Sequence, residues 1–474
     1  MEANLIETTT LLTGLGDLMD RLPGKVFIPG HEDYDIARAG WNLMDDKHPT
    51  VIVFADQPED VIRAVQFAQE NSMPVAVQAT GHRETGSALG AVLINTSRMQ
   101  DLRIDPQAQT AWVGAGVKWG PVLRAAQQFR LAPLLGSTTD VGVVGYTLSG
   151  GMGWLCRKYG MSVDSVRRLE VVTLDGEFRR ASLEENSDLF WALRGGGGGF
   201  GVVTGIEINL YPVTTVYAGN LFYPAHLAKE VYRRYIQWVK HMPEEMTCSI
   251  VLMNFPPIPQ LPPEMSGKSF VLVRGCYTGP VEEAEELLAY WRSWQTPAID
   301  DFKARPFGEA DAISMDPVDP MPALLSGEWL TDLTEEAADA LIRFTLPPEG
   351  LLPQGGPPAF VFTEVRLAGG SVARVDPDVN AYSHRQEKFI WYSVALPMDK
   401  QLGRQIQHQL ALLREALTPW LTGKVYLNFL EGDEMRRRTR DGYTPQAFRR
   451  LQSLKARFDP DFRLISSFDI PPQA

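Results

Sequence analysis

Apolar positions recur along this chain with two periods, and the places where the period changes mark its parts. From Thr50, TVIVFAD is a short apolar run, PEDVIRAVQFAQENSM carries Val61, Ala64, Val65 and Ala68 at helical spacing behind Pro58, and PVAVQAT is apolar again. Proline suits a first helical turn, so the pattern predicts strand, helix, strand, a compact βαβ unit. LRIDPQAQTAWVGAG and RRLEVVTLDGEFRRAS each set two alternating runs around a turn signal, the second at Asp175-Gly176, and predict β-hairpins. NSDLFWALRGGGGGFGVVTGIEINLYPV predicts a short helix with a Ser or Asn cap, a glycine stop, and a strand closing the first half near Pro212.

Beyond that point long amphipathic stretches appear at AHLAKEVYRRYIQWVKHM, VEEAEELLAYWRSWQ and GRQIQHQLALLREALTPWL. They alternate with strand patterns such as KSFVLVRGCYTG, AFVFTEVRL and KFIWYSVALPM. Strands faced by helices predict an α+β layer with an antiparallel sheet. PPIPQLPPEM and MDPVDPMPALL read as surface loops, and no fixed-period repeat is present.

Composition narrows the picture. With 474 residues and 44% hydrophobic content the chain exceeds one ordinary core, so two domains are expected. A net charge of −13 opposes a basic track for nucleic acid. The opening segment has no basic n-region and no apolar run long enough for a signal or membrane helix, so a cytoplasmic protein without a membrane partner is expected. Cys156, Cys248 and Cys276 are widely spaced, with no CxxC pair and no histidine cluster, and read as packed free thiols with no metal.

Glycines gather where predicted strands end: Gly81 and Gly86, Gly114 and Gly116, Gly142 to Gly153, and Gly195 to Gly199. Lacking a Cβ, such backbone lets N–H groups crowd around an anion such as a pyrophosphate. GAGVKWG superficially resembles a dinucleotide fingerprint. Its spacing is GxGxxxG and it follows the second strand of a hairpin, so it reads as a turn into a helix begun by Trp119 and Pro121.

PVAVQATGHRETG, GSTTDVGVVGYTLSGGMGWLCRKYGMSVD, DLFWALRGGGGGFGVVTGIEI and KVYLNFL, in this order, resemble the berberine-bridge-enzyme-like branch of the vanillyl-alcohol-oxidase flavoproteins. The resemblance spans about the whole chain. It implies an α+β, PCMH-type two-subdomain FAD-binding fold over residues 1–213, with its core at about 46–213. A substrate domain at 214–422, an antiparallel sheet backed by helices, follows, and residues 423–474 return to the FAD domain.

The resemblance also implies roles. His82 occupies the position of the family's flavin-anchoring histidine, implying a covalent bond from a ring nitrogen to the flavin C8 methyl group; a neutral imidazole is a suitable nucleophile, and the link makes the flavin a stronger oxidant. The cysteine that gives many relatives a second link is replaced by Thr138, so a single link is expected. Ala79, Thr80, Gly81 and Gly86 form the histidine loop, where Gln78 and Thr80 depart from the usual arginine and glycine. Thr138 and Thr139 are expected to hydrogen-bond the cofactor, with Gly142, Gly145, Tyr146, Ser149 and Gly150 around its pyrophosphate and ring edge. Val203 is placed on the adenine side, the alternative being a plain strand residue, and Asn428 contacts the flavin.

The base is the point of departure. Several relatives use a tyrosine where this chain has Phe429, and a phenyl ring has no titratable proton. Read as a regular strand, this segment puts Tyr426 and Asn428 on one face and Phe429 on the other, making Tyr426 a candidate. Glu364 and Arg366 share a face in FTEVRLAGG and suit a base and a substrate anchor, or else a surface ion pair. His384 reads as structural. The function implied is an FAD-dependent oxidase that takes a hydride from a hydroxyl- or amine-bearing carbon of a sugar, alcohol or secondary metabolite and passes electrons to O2. Phe429 leaves open an oxygenase, a dehydrogenase with another acceptor, and a catalytically inactive flavin-binding module.

Overall fold

Residues 12–347 and 358–473 are described by the computed structural model, so part of the N-terminal segment read above for targeting signals lies outside the described residues. Three sheets organise the chain. The first runs in spatial order Val26–Phe27, Val51–Phe54, Val92–Asn95, Val75–Gln78 and Leu464–Ile465. Its last four strands are parallel and the first is antiparallel to its neighbour. The βαβ unit is present, with Val61, Ala64, Val65 and Ala68 buried on the inner face of the helix Pro58–Glu70. Its two strands are not neighbours, because Val92–Asn95 inserts between them and pairs in parallel with both.

The second sheet, entirely antiparallel, has the order Leu102–Asp105, Thr110–Gly114, Val202–Asn209, Val166–Val172 and Phe178–Ala181, and contains both hairpins. Between them the turn at Gly114 and Gly116 leads into the helix Trp119–Gln127. A Cβ on Gly116 would lie 2.4 Å from the Thr96 carbonyl oxygen, so its glycine serves close backbone packing. Asn186 stands at the N-cap of the helix Ser187–Leu193 but makes no capping bond; its side chain donates to the Arg180 carbonyl instead.

The third sheet has eight antiparallel strands between Thr215 and Ala395. Period-two alternation divides its side chains. Leu221, Ile250, Val273, Val365 and Trp391 pack against the helices Ala228–Trp238, Val281–Arg292, Glu335–Thr345 and Lys400–Leu417. The opposite face carries Phe222, Val251 and Leu272, and beside them Glu364 and Tyr392, directly opposite each other in register. The chain then returns: the helix Pro445–Phe458 packs on Ser187–Leu193, and Leu464–Ile465 completes the first sheet.

One expected strand is absent. Leu427–Phe429 is a single 3-10 turn, so alternation does not apply there. Cys156, Cys248 and Cys276 are buried free thiols. Among the described residues no helix is long and apolar enough to cross a membrane.

Candidate active site

A cavity of about 460 Å³ lies between the loops of the first two sheets and the helix-free face of the third. Its near wall begins at the C-terminal end of the parallel strand Val75–Gln78, where open α/β layers commonly bind ligands. The loop there runs through Ala79, Thr80, Gly81, His82 and Arg83, all lining the cavity. Gly81 has φ +69°, and a Cβ on it would lie 2.5 Å from Gly40 Cα, so the bend requires glycine.

The His82 ring stacks on Trp41 with centroids 4.5 Å apart and planes 11° from parallel. Its Nδ1 lies 3.0 Å from Thr80 Oγ1 and its Nε2 3.8 Å from Asp140 Oδ2. Burial lowers its pKa to about 4, with Lys118 adding and Asp140 opposing, so the ring is neutral and its lone pair available at neutral pH. Thr138, Gly142, Gly145, Tyr146, Ser149, Val203 and Asn428 also line the cavity.

Three expected contacts do not. Gly86 faces Arg436, whose Nη1 would lie 2.8 Å from an added Cβ. Thr139 gives both its N–H and its hydroxyl to Asp311. Gly150, at φ +123°, is packed beneath the Tyr382 and Tyr426 rings. Each is turned from the cavity by a partner elsewhere in the chain.

The residues present fit a large cofactor with many hydrogen-bonding atoms. Gln78 Oε1 and the Tyr146 hydroxyl are buried on cavity-lining residues with no partner among the described residues, a costly state that a bound group relieves. Cβ atoms built on Gly145 and Gly198 meet nothing within 4 Å, so backbone is open at both lining positions.

The far wall holds the ionic chemistry. Arg366 Nε donates to Glu364 Oε1 at 2.7 Å, Arg366 Nη2 to Tyr392 Oη at 2.8 Å, and Tyr392 Oη to Glu364 Oε2 at 2.6 Å. Glu364 and Arg366 are 0% and 7% exposed, so the surface ion pair is excluded in favour of a buried pair in the cavity wall. Burial pushes the Glu364 carboxyl up, but Arg366 and Arg274 and the hydrogen bonds from Arg366 and Tyr392 outweigh it and hold it below its ordinary value. Burial and Glu364 push the Tyr392 phenol well up, against the pull of Arg366.

Tyr426 is corrected by the 3-10 turn. Its hydroxyl accepts from the N–H groups of Gly151 and Met152 at 2.8 and 3.0 Å and from Asn428 Nδ2 at 2.9 Å, and it does not line the cavity. Phe429 does, stacked on Tyr392 at 4.0 Å between centroids. His384 lies outside the cavity lining, with Nε2 2.9 Å from the Asp441 carbonyl oxygen.

Lining residues missed from the sequence include Tyr392, Arg274, Arg83 and Glu431. Tyr392 and Arg274 come from strands read only for periodicity, although an arginine inside the apolar run SFVLVRGCY is a signal. Arg83 donates to Ser149 Oγ at 2.9 Å and to Asn428 Oδ1, tying the histidine loop to the C-terminal return. Burial raises the Glu431 carboxyl to about 8 against the pull of Arg83. For Arg83 and Glu431 no local pattern gave a signal.

Comparison with known proteins defines the class. Residues 49–182 match the FAD binding domain family. The uncharacterised FAD-linked oxidoreductase YgaK of Bacillus subtilis (strain 168) is 28% identical over 95% of this chain and 98% of its own length. (R)-6-hydroxynicotine oxidase of Paenarthrobacter nicotinovorans is 26% identical over 95% of this chain and 97% of its own. The crystal structure of 6-hydroxy-D-nicotine oxidase from Arthrobacter nicotinovorans superposes with a TM-score of 0.81 at 23% identity, covering 95% of this chain and 98% of that one. Berberine bridge enzyme from Eschscholzia californica gives 0.80 at 18% identity, covering 99% of each chain. The chain is an FAD-linked oxidoreductase that shares the fold of 6-hydroxy-D-nicotine oxidase and berberine bridge enzyme.

Proposed function

We propose that this protein is an FAD-dependent oxidase that removes a hydride from a carbon bearing a hydroxyl or amine, with O2 as the final acceptor and hydrogen peroxide as the second product. Residues 1–213 with the return 423–474 hold the cofactor, and 214–422 supply the substrate wall. The observation that carries the reading is that one cavity joins the His82 loop to the buried Glu364–Tyr392–Arg366 group. FAD held there would supply the hydride acceptor and the route by which the electron pair reaches dioxygen.

The chain's residues manage the proton. Phe429 has no hydroxyl, but it lies flat on Tyr392, whose Oη both accepts from Arg366 and donates to Glu364. A substrate hydroxyl or amine hands its proton to Tyr392 Oη while Tyr392 passes its own to Glu364 Oε2. Because the arginines hold Glu364 ionised, the base is present at neutral pH. The relative named (R)-6-hydroxynicotine oxidase supports oxidase chemistry on a small molecule.

His82 is proposed as the single covalent anchor, supported by its neutral ring at the cavity wall. Acid-precipitated protein is expected to stay yellow, and His82→Ala is expected to release its flavin into the supernatant. A colourless pellet from fully loaded wild type would remove the covalent link. Slow reoxidation of reduced protein by O2 would replace the oxidase with a dehydrogenase.

A further inference from the structure

We propose that the substrate is an apolar compound bearing a carboxylate, anchored by Arg274. The inference rests on the reading of this cavity as the substrate site and names what that site selects.

Arg274 is 4% exposed and lines the cavity. Its Nε donates to Asn220 Oδ1 at 2.8 Å, and Asn220 is itself fixed by a bond to the Ile313 carbonyl at 2.8 Å. The two terminal nitrogens of Arg274 have no hydrogen-bond partner among the described residues. Among the described residues Glu364 is the one carboxylate in ion-pair reach, 3.8 Å from Nη1, and it is already engaged by Arg366 and Tyr392. Asp301 is committed to the Asn220 N–H and to Arg305, and Asp316, half-buried in the cavity lining, forms no ion pair with Arg274. Two buried guanidiniums therefore share one carboxylate.

A buried guanidinium that shares its only carboxylate with another arginine is under-neutralised, and its two terminal nitrogens match a carboxylate in both charge and shape. Other residues of the same cavity have the opposite character: Met321, Leu325, Val361, Phe362, Val394 and Leu396 offer apolar side chains. A sugar there would leave several hydroxyls unsatisfied, whereas an aromatic or alkyl body buries its surface favourably.

The test uses full-length protein and titration calorimetry with benzoate, 3-phenylpropionate, their neutral amides, and xylobiose. The acids are expected to bind at least tenfold more tightly than the amides, with xylobiose weakest. Arg274→Gln is expected to erase the acid preference and Arg274→Lys to keep part of it. Equal affinity for acid and amide, no binding of either, a preference for xylobiose, or an acid preference that survives in Arg274→Gln overturns the proposal. The wild-type comparison stands if the variants do not fold. Flavin absorbance of the same samples reads the cofactor separately: a flavin-free chain overturns the flavoenzyme reading, while the heat of acid binding still reports on Arg274.

Discussion

At the scale of single residues, two tyrosines exchange roles relative to what their positions in the chain suggest. Tyr426 accepts three hydrogen bonds and spends its hydroxyl on the Gly151 and Met152 backbone, whereas Tyr392 keeps its hydroxyl between Arg366 and Glu364 at the cavity. Glu364→Gln is therefore expected to slow anaerobic flavin reduction by roughly 10²–10⁴-fold with the flavin spectrum unchanged. Tyr426→Phe strands two buried N–H donors and is expected to cost about 1–3 kcal/mol in unfolding free energy, with less than a tenfold loss of reduction rate. Stopped-flow reduction and denaturant unfolding of both variants check the pair, and a larger kinetic loss in Tyr426→Phe would reverse the assignment.

At the scale of elements, glycines that look alike in the sequence do different work. A Cβ on Gly153 would sit 1.7 Å from the Leu135 carbonyl oxygen, between two segments of backbone that cannot separate. A Cβ on Gly145, in the helix Val143–Leu148, meets nothing within 4 Å of protein, yet Gly145 lines the cavity. Gly153→Ala is thus expected to yield little folded protein. Gly145→Ala is expected to fold with a thermal midpoint near that of wild type, since alanine is the better helix former, and to retain less flavin. Circular dichroism and flavin-to-protein absorbance ratios separate the two; normal flavin content in Gly145→Ala would place its open side away from the cofactor.

At the scale of the whole molecule, the C-terminal return is tied to the histidine loop beside the cavity. Glu431 Oε2 accepts from the Glu84 N–H at 3.3 Å, Ser467 Oγ donates to the Glu84 carbonyl at 2.8 Å, and Arg83 reaches Asn428. The buried Glu431 carboxyl has its pKa raised to about 8, so the folded chain holds a proton there that the unfolded chain has released above its ordinary value of 4.5. This contribution is fully present below pH 4.5 and is lost as pH rises through about 8. Cofactor-free wild type is expected to lose on the order of a few kcal/mol across that window, and Glu431→Gln to flatten the loss. Thermal unfolding against pH checks it, and an unchanged slope in the variant would assign the pH dependence to another group.

Local pattern alone reached the βαβ unit, both hairpins and the long helices, because each is set by side-chain period and turn residues within about 20 positions. It also reached the shared face of Glu364 and Arg366, which alternation within a strand fixes; His82, in a strand-end glycine loop, was pointed to by the family resemblance and not by local pattern. Alternation did not tell which side of the third sheet that face would meet, since burial depends on what packs there; the tertiary structure made it a cavity wall. Tyr426 failed because a 3-10 turn replaced the strand on which its direction was argued. Tyr392, Arg274, Arg83 and Glu431 join the site through strand register and the return of the chain end, contacts between residues far apart in sequence. Sequence by itself pointed to the kind of cofactor; only the tertiary structure decided which charges line the cavity, because that wall is assembled from separate strands whose pairing no local pattern specifies.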